Sequence, residues 1–323
     1  MDEGMVGRAR RVGSALRGTP RAIRQVRQSL REDKSGQVAR TLLQLGRSRA
    51  SRALSRVVGR VLVTGSILDQ YVQAAPSPQH ALDIFAGEWA SRLPAPLNAL
   101  RAGETHLFED ARIPWGLERL GGVAGQSVLE LGPLEGAHTY MLARQGAASI
   151  TAIESNTRAY LKCLIVKELL DIPQAHFLCG NFVEYLRENE TRFDLAVANG
   201  VLYHMPEPVE LLAMLARSTD RLLLWTLYYD RDILARSPHI ARRFAGESVA
   251  EYEGFRYRRH RYEYREAQLV ESYCGGSSTH SHWLGRDDIV NALRHFGLTD
   301  IEINFDHPDH PSGPAFALVA RRP

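Results

Sequence analysis

A glycine-rich turn followed by a distant acidic residue is the first feature of this chain that could do chemistry. The turn runs from Gly132 to Gly136, and Glu154 stands 22 residues after Gly132. Glycines let a ligand approach the backbone closely, and the N–H groups at the start of a following helix favour polar or anionic groups. A carboxylate offers two acceptor oxygens, which suit the two hydroxyls of a ribose. The spacing therefore predicts a site for a cofactor that contains a ribose.

Two further polar positions follow apolar runs in the same way. Asn181, followed by Phe182, comes after the run AHFLC, where its amide could contact the edge of an adenine. Asn199 ends the next run and opens the segment NGVLYHM. Open α/β sheets bind ligands at the carboxyl ends of their strands, so we expect these residues to converge there.

The elements that must position these residues are five short apolar runs that alternate with helix-compatible stretches. The runs are SVLEL, SITAI, AHFLC, FDLAVAN and RLLLWTL. Buried strands separated by helices predict parallel pairing with right-handed crossovers, and hence an α/β fold with a doubly wound sheet. A last helix followed by IEINF and FALVA predicts a closing β-hairpin.

Together these motifs resemble those of the class I S-adenosylmethionine-dependent methyltransferases, from Trp115 to Leu227 and on through the closing hairpin. The resemblance implies a Rossmann-like sheet whose last strand is antiparallel, and S-adenosyl-L-methionine as the cofactor. A nicotinamide enzyme would also join a glycine turn to a distant acid, but the glycines of GPLEG are four apart and leave a pyrophosphate less room. The predicted cofactor-binding residues are Glu130, Gly132, Gly136, Glu154, Asn181, Phe182 and Asn199.

Two positions depart from the pattern of that family. Leu134 stands where the middle glycine usually lies, which affects the expected geometry of the turn. Asn181 stands where an acid usually follows the third strand, which affects the expected contact with the adenine.

His204, beside Tyr203, is the candidate catalytic base. Imidazole has an ordinary pKa of about 6.5 and can accept a proton at neutral pH. The loop after the fourth strand lies beside the transferable methyl group in the fold that this sequence resembles. The alternative is that Tyr203 and His204 pack at the opening of the helix near Pro206.

Aromatic side chains are further candidates for the site, because a sulfonium is stabilised by an aromatic face and an adenine can stack on one. Those that follow the fifth strand are expected to face the acceptor. Ordinary core packing is the alternative for Trp225. The segment GGSSTHSHW predicts a flexible loop at the mouth of the substrate site. The predicted substrate-binding residues are Trp115, Trp225, Tyr228, Tyr229, His282 and Trp283.

Neither a metal site nor a nucleic-acid surface is the favoured interpretation of the remaining motifs. Two histidine pairs, at 280 and 282 and at 307 and 310, lack a carboxylate at ligand spacing, so no metal is expected. The segment FRYRRHRYEYRE interleaves aromatics with arginines, as nucleic-acid surfaces do. Residues 229–270, however, hold 9 Arg against 7 Asp and Glu, which favours a strand pair with a mixed-charge face or a site for an acidic small substrate.

Composition excludes some classes of protein. No apolar stretch approaches the roughly 18 residues of a membrane span, and three separated cysteines form neither a disulfide framework nor a zinc site. We therefore expect a cytoplasmic enzyme. Residues 1–60 hold 15 Arg and Lys against 4 Asp and Glu, which predicts a solvated basic arm or, alternatively, a nucleic-acid contact.

Four segments are expected. They are a helical N-terminal arm and cap (1–115), a cofactor-binding core (116–229), a substrate-shaping insert (230–284), and a closing helix and hairpin (285–323). The first segment includes a helix that is expected to begin at Pro78 and to bury Leu82, Phe85 and Trp89.

The expected function is methyl transfer to a small-molecule acceptor in small-molecule biosynthesis. The alternatives are a tRNA-modifying methyl or carboxymethyl transferase, and an enzyme that consumes S-adenosylmethionine by another route, such as intramolecular cyclisation. The expected partner is a small molecule, with nucleic acid as the alternative and no membrane, and a homodimer stays open.

Overall fold

A computed structural model describes residues 71–264, 276 and 278–323. The chain divides into two units, Met1–Ala75 and Pro76–Pro323, and the elements below belong to the second. The predicted basic arm, up to residue 70, lies outside the described residues. Among the helices in the described part of the chain, none has the length and apolar character needed to cross a membrane.

The elements follow one another in the order that the sequence predicts. The strands are β1 (Ser127–Leu131), β2 (Ser149–Glu154), β3 (Ala175–Cys179), β4 (Leu195–Asn199), β5 (Arg221–Leu227), β6 (Phe244–Tyr252), β7 (Phe255–Glu263), β8 (His280–Leu284), β9 (Asp300–His307) and β10 (Ala315–Arg321). The helices are α1 (Pro78–Asp83), α2 (Arg112–Arg119), α3 (Ala137–Arg144), α4 (Thr157–Leu169), α5 (Phe182–Glu188), α6 (Pro208–Ser218), α7 (Arg231–Ala235), α8 (Pro238–Ala241) and α9 (Arg286–His295). Short 3₁₀ turns cover Leu107–Glu109 and Leu202–His204.

A seven-stranded sheet forms the centre, in the order β3-β2-β1-β4-β5-β10-β9. Strands β1 to β5 pair in parallel, whereas β10 pairs antiparallel with both β5 and β9. Strands β1 and β4 are buried along nearly their whole length, as expected for central parallel strands that helices cover on both faces. The predicted doubly wound sheet with an antiparallel last strand is confirmed.

The segment before the sheet differs from the helical prediction. Helix α1 ends at Asp83, because the chain then turns through Gly87, whose φ is +80°. Phe85 and Trp89 are nevertheless buried, and the indole N–H of Trp89 donates to the Leu82 carbonyl at 2.8 Å. The apolar spacing therefore identified buried residues correctly but overestimated the length of the helix.

The insert after β5 folds into a second, three-stranded antiparallel sheet in the order β6-β7-β8. Its last strand lies against the 3₁₀ turn that follows β4, where the backbone N–H of His282 donates to the Met205 carbonyl at 2.9 Å. The insert therefore supports the loop that carries the candidate base.

Candidate functional site

A cavity of about 770 Å³ opens at the carboxyl ends of the parallel strands. We call its two parts the β1–β3 half, with Gly132, Glu154 and Asn181, and the β4–β5 half, with His204 and Trp225. Sequence reasoning predicted eight of the residues that line it. They are Gly132, Glu154, Asn181, Phe182, Asn199, Tyr203, His204 and Trp225.

The turn after β1 keeps a left-handed backbone at three positions. Gly132 has a φ of 64°, Leu134 of 56° and Gly136 of 77°. A Cβ atom on Gly132 would lie 2.6 Å from the Val201 side chain, so glycine is required there. Leu134 adopts a conformation that is costly for a residue with a Cβ atom, and its N–H donates to Glu154 Oε2 at 3.1 Å. Leu134 thus has a left-handed backbone at the position where the resemblance leads one to expect glycine.

Glu154 ends β2 with its carboxylate in the cavity wall. One oxygen accepts the Asn156 N–H at 2.8 Å and the other accepts the Leu134 N–H. Burial raises the pKa of Glu154, against the opposing effect of these backbone donors. Each carboxylate oxygen can accept more than one hydrogen bond, so both can also receive a ligand hydroxyl. This arrangement suits a vicinal diol.

Two amide side chains follow the next strands. Asn181 lines the cavity and caps α5, because its Oδ1 accepts the Val183 N–H at 2.9 Å. Its NH₂ group keeps its donors for a ligand. Asn199 at the end of β4 has both side-chain polar atoms buried and without a hydrogen-bond partner among the described residues. Buried polar atoms are normally paired, so a bound ligand is the natural partner for Asn199.

Two of the predicted cofactor-binding residues do not line the cavity. Glu130 is buried in β1, where it accepts a hydrogen bond from the Thr139 hydroxyl, and burial raises its pKa. Gly136 precedes α3, and a Cβ atom there would lie 3.3 Å from Phe177. Both residues therefore shape the turn from behind rather than forming its ligand-facing surface.

His204 and Tyr203 lie on the 3₁₀ turn after β4 and both line the cavity. Burial lowers the pKa of His204 from the ordinary value of 6.5 to about 4. Its imidazole is therefore neutral at pH 7. His204 Nδ1 is 2.8 Å from the Tyr264 hydroxyl. Among the described residues Nε2 has no such partner. One ring nitrogen is therefore held in place, and the other is left for a ligand.

Trp225 lies on β5 beside Asn199, and it is the only predicted acceptor-binding residue among those that line the cavity within the described chain. The Arg112 guanidinium lies over its ring at 4.5 Å from the centroid, and the Tyr203 ring is 6.0 Å away. The indole therefore joins the 3₁₀ turn to α2.

The other five predicted acceptor-binding residues lie outside the cavity lining. Trp115 packs against Phe305, Tyr228 against Phe316, Tyr229 against His260 and Trp283 against Tyr262, and His282 Nδ1 contacts the Pro206 carbonyl at 2.6 Å. These contacts join the insert and α2 to the sheet. In this structure these five side chains pack around the cavity and do not line it, and their predicted role in acceptor binding stays a prediction.

A cluster that sequence reasoning missed lies at the β4–β5 half. Asp110 receives two cavity-lining side chains, Arg112 and His138, with His138 Nε2 at 2.8 Å from Asp110 Oδ2. Burial opposes ionisation of Asp110, but the hydrogen bonds from His138 and Arg112 outweigh it and hold its pKa well below the ordinary value. The sequence does show an acid and a base two residues apart, Asp110 and Arg112, which could have indicated an ion pair. The contact of Asp110 with His138 depends on the fold and has no such signal.

Glu135, inside the glycine turn, points away from the cavity. It accepts the backbone N–H groups of Ala90 and Ser91 at 2.9 and 2.8 Å, and Lys162 Nζ at 3.0 Å. Lys162 also donates to the Glu88 carbonyl at 2.6 Å. The turn is therefore anchored to the segment before α2 by a buried ion pair.

The arginines of the insert are mostly paired with carboxylates. Arg258 lies 2.6 Å from Glu247, and Arg261 lies 2.9 Å from Glu263. Arg259 pairs with Glu207. Across the described residues, no group of three or more His, Cys, Asp or Glu side chains is placed to hold a metal ion.

A comparison with protein families matches residues 105–303 to a family described as a methyltransferase domain. The match spans more than half of the 323 residues. The chain therefore belongs to the methyltransferase family.

Solved structures agree on the fold. The chain is similar to the N-terminal domain of EvdMO1, determined with SAH bound and in the presence of SAH and D-fucose, with TM-scores of 0.57 and 0.56. The identity is 23%, and the match covers 76% of this chain and 95% of that chain. This likeness confirms the predicted fold, and the family match confirms the predicted class of methyltransferase.

Curated relatives match a shorter part of the chain. The tRNA U34 carboxymethyltransferase of Chromohalobacter salexigens is 29% identical over 140 residues, which cover 40% of this chain and 42% of that protein. The tRNA U34 carboxymethyltransferase of Campylobacter concisus is 27% identical over 113 residues, which cover 34% and 38%. The chain thus spans less than half the length of these relatives.

Proposed function

We propose that this enzyme transfers the methyl group of S-adenosylmethionine to a small-molecule acceptor. The observation that carries the proposal is the cavity, whose volume of about 770 Å³ falls in the range of small-molecule sites. A carboxylate suited to a ribose lies in one half and a neutral histidine in the other. This arrangement leaves room for an acceptor beside the cofactor.

The residues of the β1–β3 half fit the cofactor. Glu154 would hold the ribose hydroxyls, the free donors of Asn181 would face the adenine, and the orphaned amide of Asn199 would find its partner in the ligand. Bound there, S-adenosylmethionine supplies an electrophilic methyl group. The protein contributes position and exclusion of water, which are the main requirements of an in-line displacement.

His204 is proposed as the base. In the productive tautomer Nδ1–H donates to the Tyr264 hydroxyl, and Nε2 keeps its lone pair toward the cavity. An imidazole whose pKa is about 4 is a weak base. It suffices for a hydroxyl acceptor, because an oxygen that gains a methyl group becomes a positively charged and strongly acidic oxonium. Tyr264 is then a positioning residue, since it fixes which nitrogen is free.

Modification of tRNA is the second candidate function, and the named curated relatives favour it. Nucleic-acid binding needs cations that are available to phosphates. Three arginines of the segment that resembles a nucleic-acid surface are already paired with carboxylates. They are Arg258 with Glu247, Arg259 with Glu207 and Arg261 with Glu263. This pairing favours the small-molecule acceptor.

Labelling with deuterated methyl S-adenosylmethionine separates the candidates. The full-length enzyme is incubated with the small-molecule fraction of a cell extract and, separately, with total tRNA, and the products are analysed by mass spectrometry. A labelled metabolite, absent with His204→Asn, supports the proposal. Label confined to tRNA nucleosides supports the second function, and release of methylthioadenosine without a labelled acceptor supports consumption of the cofactor by another route.

A further inference from the structure

The three residues that follow the 3₁₀ turn after β4 are each held by the insert. The backbone N–H of His282 donates to the Met205 carbonyl at 2.9 Å, and His282 Nδ1 donates to the Pro206 carbonyl at 2.6 Å. Arg259 Nη1 donates to Glu207 Oε2 at 2.6 Å. A single residue of β8, His282, therefore makes two of these three contacts.

The sequence of this segment explains why it needs donors from another element. Proline has no backbone N–H, so Glu207 supplies the only backbone N–H among residues 206–208. The turn itself is closed by the Met205 N–H, which donates to the Leu202 carbonyl at 3.0 Å. Beyond Met205 the chain depends on its carbonyl groups, and the donors for these groups come from the insert.

The imidazole of His282 suits this task because it is buried, neutral and fixed in one tautomer. The residue is 8% exposed, and burial lowers its pKa, against the opposing effect of the hydrogen bond to Pro206. A neutral imidazole has one N–H and a carbonyl oxygen can only accept, so that hydrogen lies on Nδ1. Because His282 does not line the cavity, it acts on the site through the backbone that it holds.

The position of this backbone determines the contact that fixes the proposed base. His204 Nδ1 is 2.8 Å from the hydroxyl of Tyr264, which directly follows β7. A hydrogen bond weakens steeply when its distance or angle changes. His204 stands two residues before Pro206, so a shift of the Pro206 carbonyl moves the imidazole of His204 relative to Tyr264.

We propose that His282 is a positioning residue for the base. By holding the Pro206 carbonyl, it keeps the 3₁₀ turn in place and His204 in the tautomer that leaves Nε2 free. This inference rests on the proposed function, in which His204 accepts the proton. Tyr264 selects the ring nitrogen, and His282 fixes the backbone from which the ring extends.

The tautomer of His204 can be measured without an acceptor. Long-range proton–nitrogen NMR correlations of the full-length protein, saturated with S-adenosylhomocysteine, distinguish an Nδ1–H from an Nε2–H imidazole, and His204→Asn assigns the signal. We expect the Nδ1–H form in the wild type and a mixture of both forms in His282→Leu, which has no donor. His282→Asn should restore the wild-type spectrum, because its amide nitrogen can occupy the position of Nδ1. The longer side chain of His282→Gln should not restore it.

The rate of methyl transfer tests the consequence for the reaction. Transfer from deuterated S-adenosylmethionine to the small-molecule fraction of a cell extract should be about tenfold or more slower with His282→Leu, because a small displacement of a catalytic group is costly. Affinity for S-adenosylhomocysteine should stay within about threefold, and His282→Asn should recover most of the rate. His295→Leu is the matched control, because His295 Nε2 also donates to a backbone carbonyl, that of Glu253, at 2.9 Å, and does not line the cavity.

Three results would overturn the positioning role. They are a wild-type tautomer and rate in His282→Leu, a slower rate without any change of tautomer, and equal behaviour of His282→Asn and His282→Gln. The comparison of these two amides also decides the question if His282→Leu does not fold. If the wild type labels no small molecule, the proposed function fails, whereas the tautomer of His204 still shows whether His282 positions it.

Discussion

The two halves of the cavity are built in different ways. In the β1–β3 half, ligand-facing groups come from turns directly after strands, and backbone hydrogen bonds hold them, as with Glu154 and the N–H groups of Leu134 and Asn156. In the β4–β5 half, side chains hold side chains across long stretches of sequence. His204 meets Tyr264 at a separation of 60 residues. The β1–β3 half, held by the backbone, suits a cofactor that is common to many enzymes. The β4–β5 half, held by side chains, suits an acceptor that is particular to one enzyme.

The difference teaches where a substitution should act. A position whose backbone serves the site, such as Leu134, should tolerate a change of side chain as long as its φ and ψ angles survive. Side-chain networks lose function when one member is removed, because its partner is left unpaired in a buried setting.

The largest effect should come from the β4–β5 half. His204→Asn removes the proposed base and should lower kcat by about 10² to 10⁴-fold, while affinity for S-adenosylhomocysteine stays within a few fold. Steady-state kinetics and calorimetry measure the two quantities. His176→Asn is the control, because His176 is an exposed histidine on β3. Unchanged turnover in His204→Asn would show that positioning alone drives the reaction.

The anchor of the glycine turn should produce the next largest effect, on stability. Lys162→Met leaves the buried Glu135 carboxylate without its ammonium, and breaking a buried pair in this way costs about 3–5 kcal/mol. The Ala90 and Ser91 N–H groups remain, so the lower end of the range is expected. Urea denaturation measures the loss. Glu135→Gln combined with Lys162→Met should recover more than half of it, and no recovery would contradict the charge argument.

The same contrast explains how much the sequence could predict. The succession of strands along the chain, the glycine turn and Glu154 follow from local patterns, because apolar runs and turn residues determine backbone geometry within one βα unit. Leu134 is informative, since the turn keeps its left-handed φ of 56° although the usual glycine is missing. Backbone geometry here is imposed by the whole unit rather than by one residue.

The β4–β5 half could not be predicted in the same way. Arg112 lies on a helix before the first strand, and Trp225, whose ring its guanidinium covers, lies on the fifth. Nothing in the spacing of either residue indicates the other. Burial of His204 also depends on the insert, and for that reason its pKa of about 4 lies below the ordinary value of about 6.5.

Burial of His204 predicts a specific dependence of stability on pH. Its pKa falls from the ordinary value of 6.5, which applies to the unfolded chain, to about 4 in the folded protein. Between these values the unfolded chain binds a proton that the folded protein does not. The free energy of unfolding should therefore fall as the pH drops from 6.5 to 4, by about 3 kcal/mol for this group.

His260, whose pKa burial also lowers to about 4, contributes in the same direction and remains in His204→Asn. Urea titrations at several pH values should thus give a smaller acid-side loss for His204→Asn than for the wild type. If the free energy of unfolding changed with pH in the same way for both proteins, His204 would take up its proton in the folded state as readily as in the unfolded chain.

Glu154 should contribute a smaller free energy, to cofactor binding. Glu154→Ala removes two acceptor oxygens from the β1–β3 half and should weaken S-adenosylhomocysteine by about 1.5–3 kcal/mol, as for hydrogen bonds to a charged group. Isothermal calorimetry measures the change. Glu168→Ala, an exposed carboxylate on α4, is the matched control. If both variants bind equally well, the ribose is held elsewhere and the β1–β3 half has been assigned wrongly.

The smallest effect is expected at Leu134, and it tests the backbone-held construction most directly. A residue with a Cβ atom in the left-handed region carries a strain of roughly 1–2 kcal/mol, which Leu134→Gly removes. Glycine in turn loses side-chain contacts and stabilises the unfolded chain by about 0.5–1 kcal/mol through its greater entropy. The two changes nearly cancel, so thermal and urea unfolding should place Leu134→Gly within about 1 kcal/mol of the wild type. Affinity for S-adenosylhomocysteine should also be unchanged, because the backbone N–H at position 134 still reaches Glu154.

Leu134→Val introduces a β-branched residue, which tolerates this φ poorly, so this variant should be less stable than Leu134→Gly. The opposite order would mean that the leucine side chain, and not the backbone, holds the turn, and the contrast between the two halves would then fail at its simplest position.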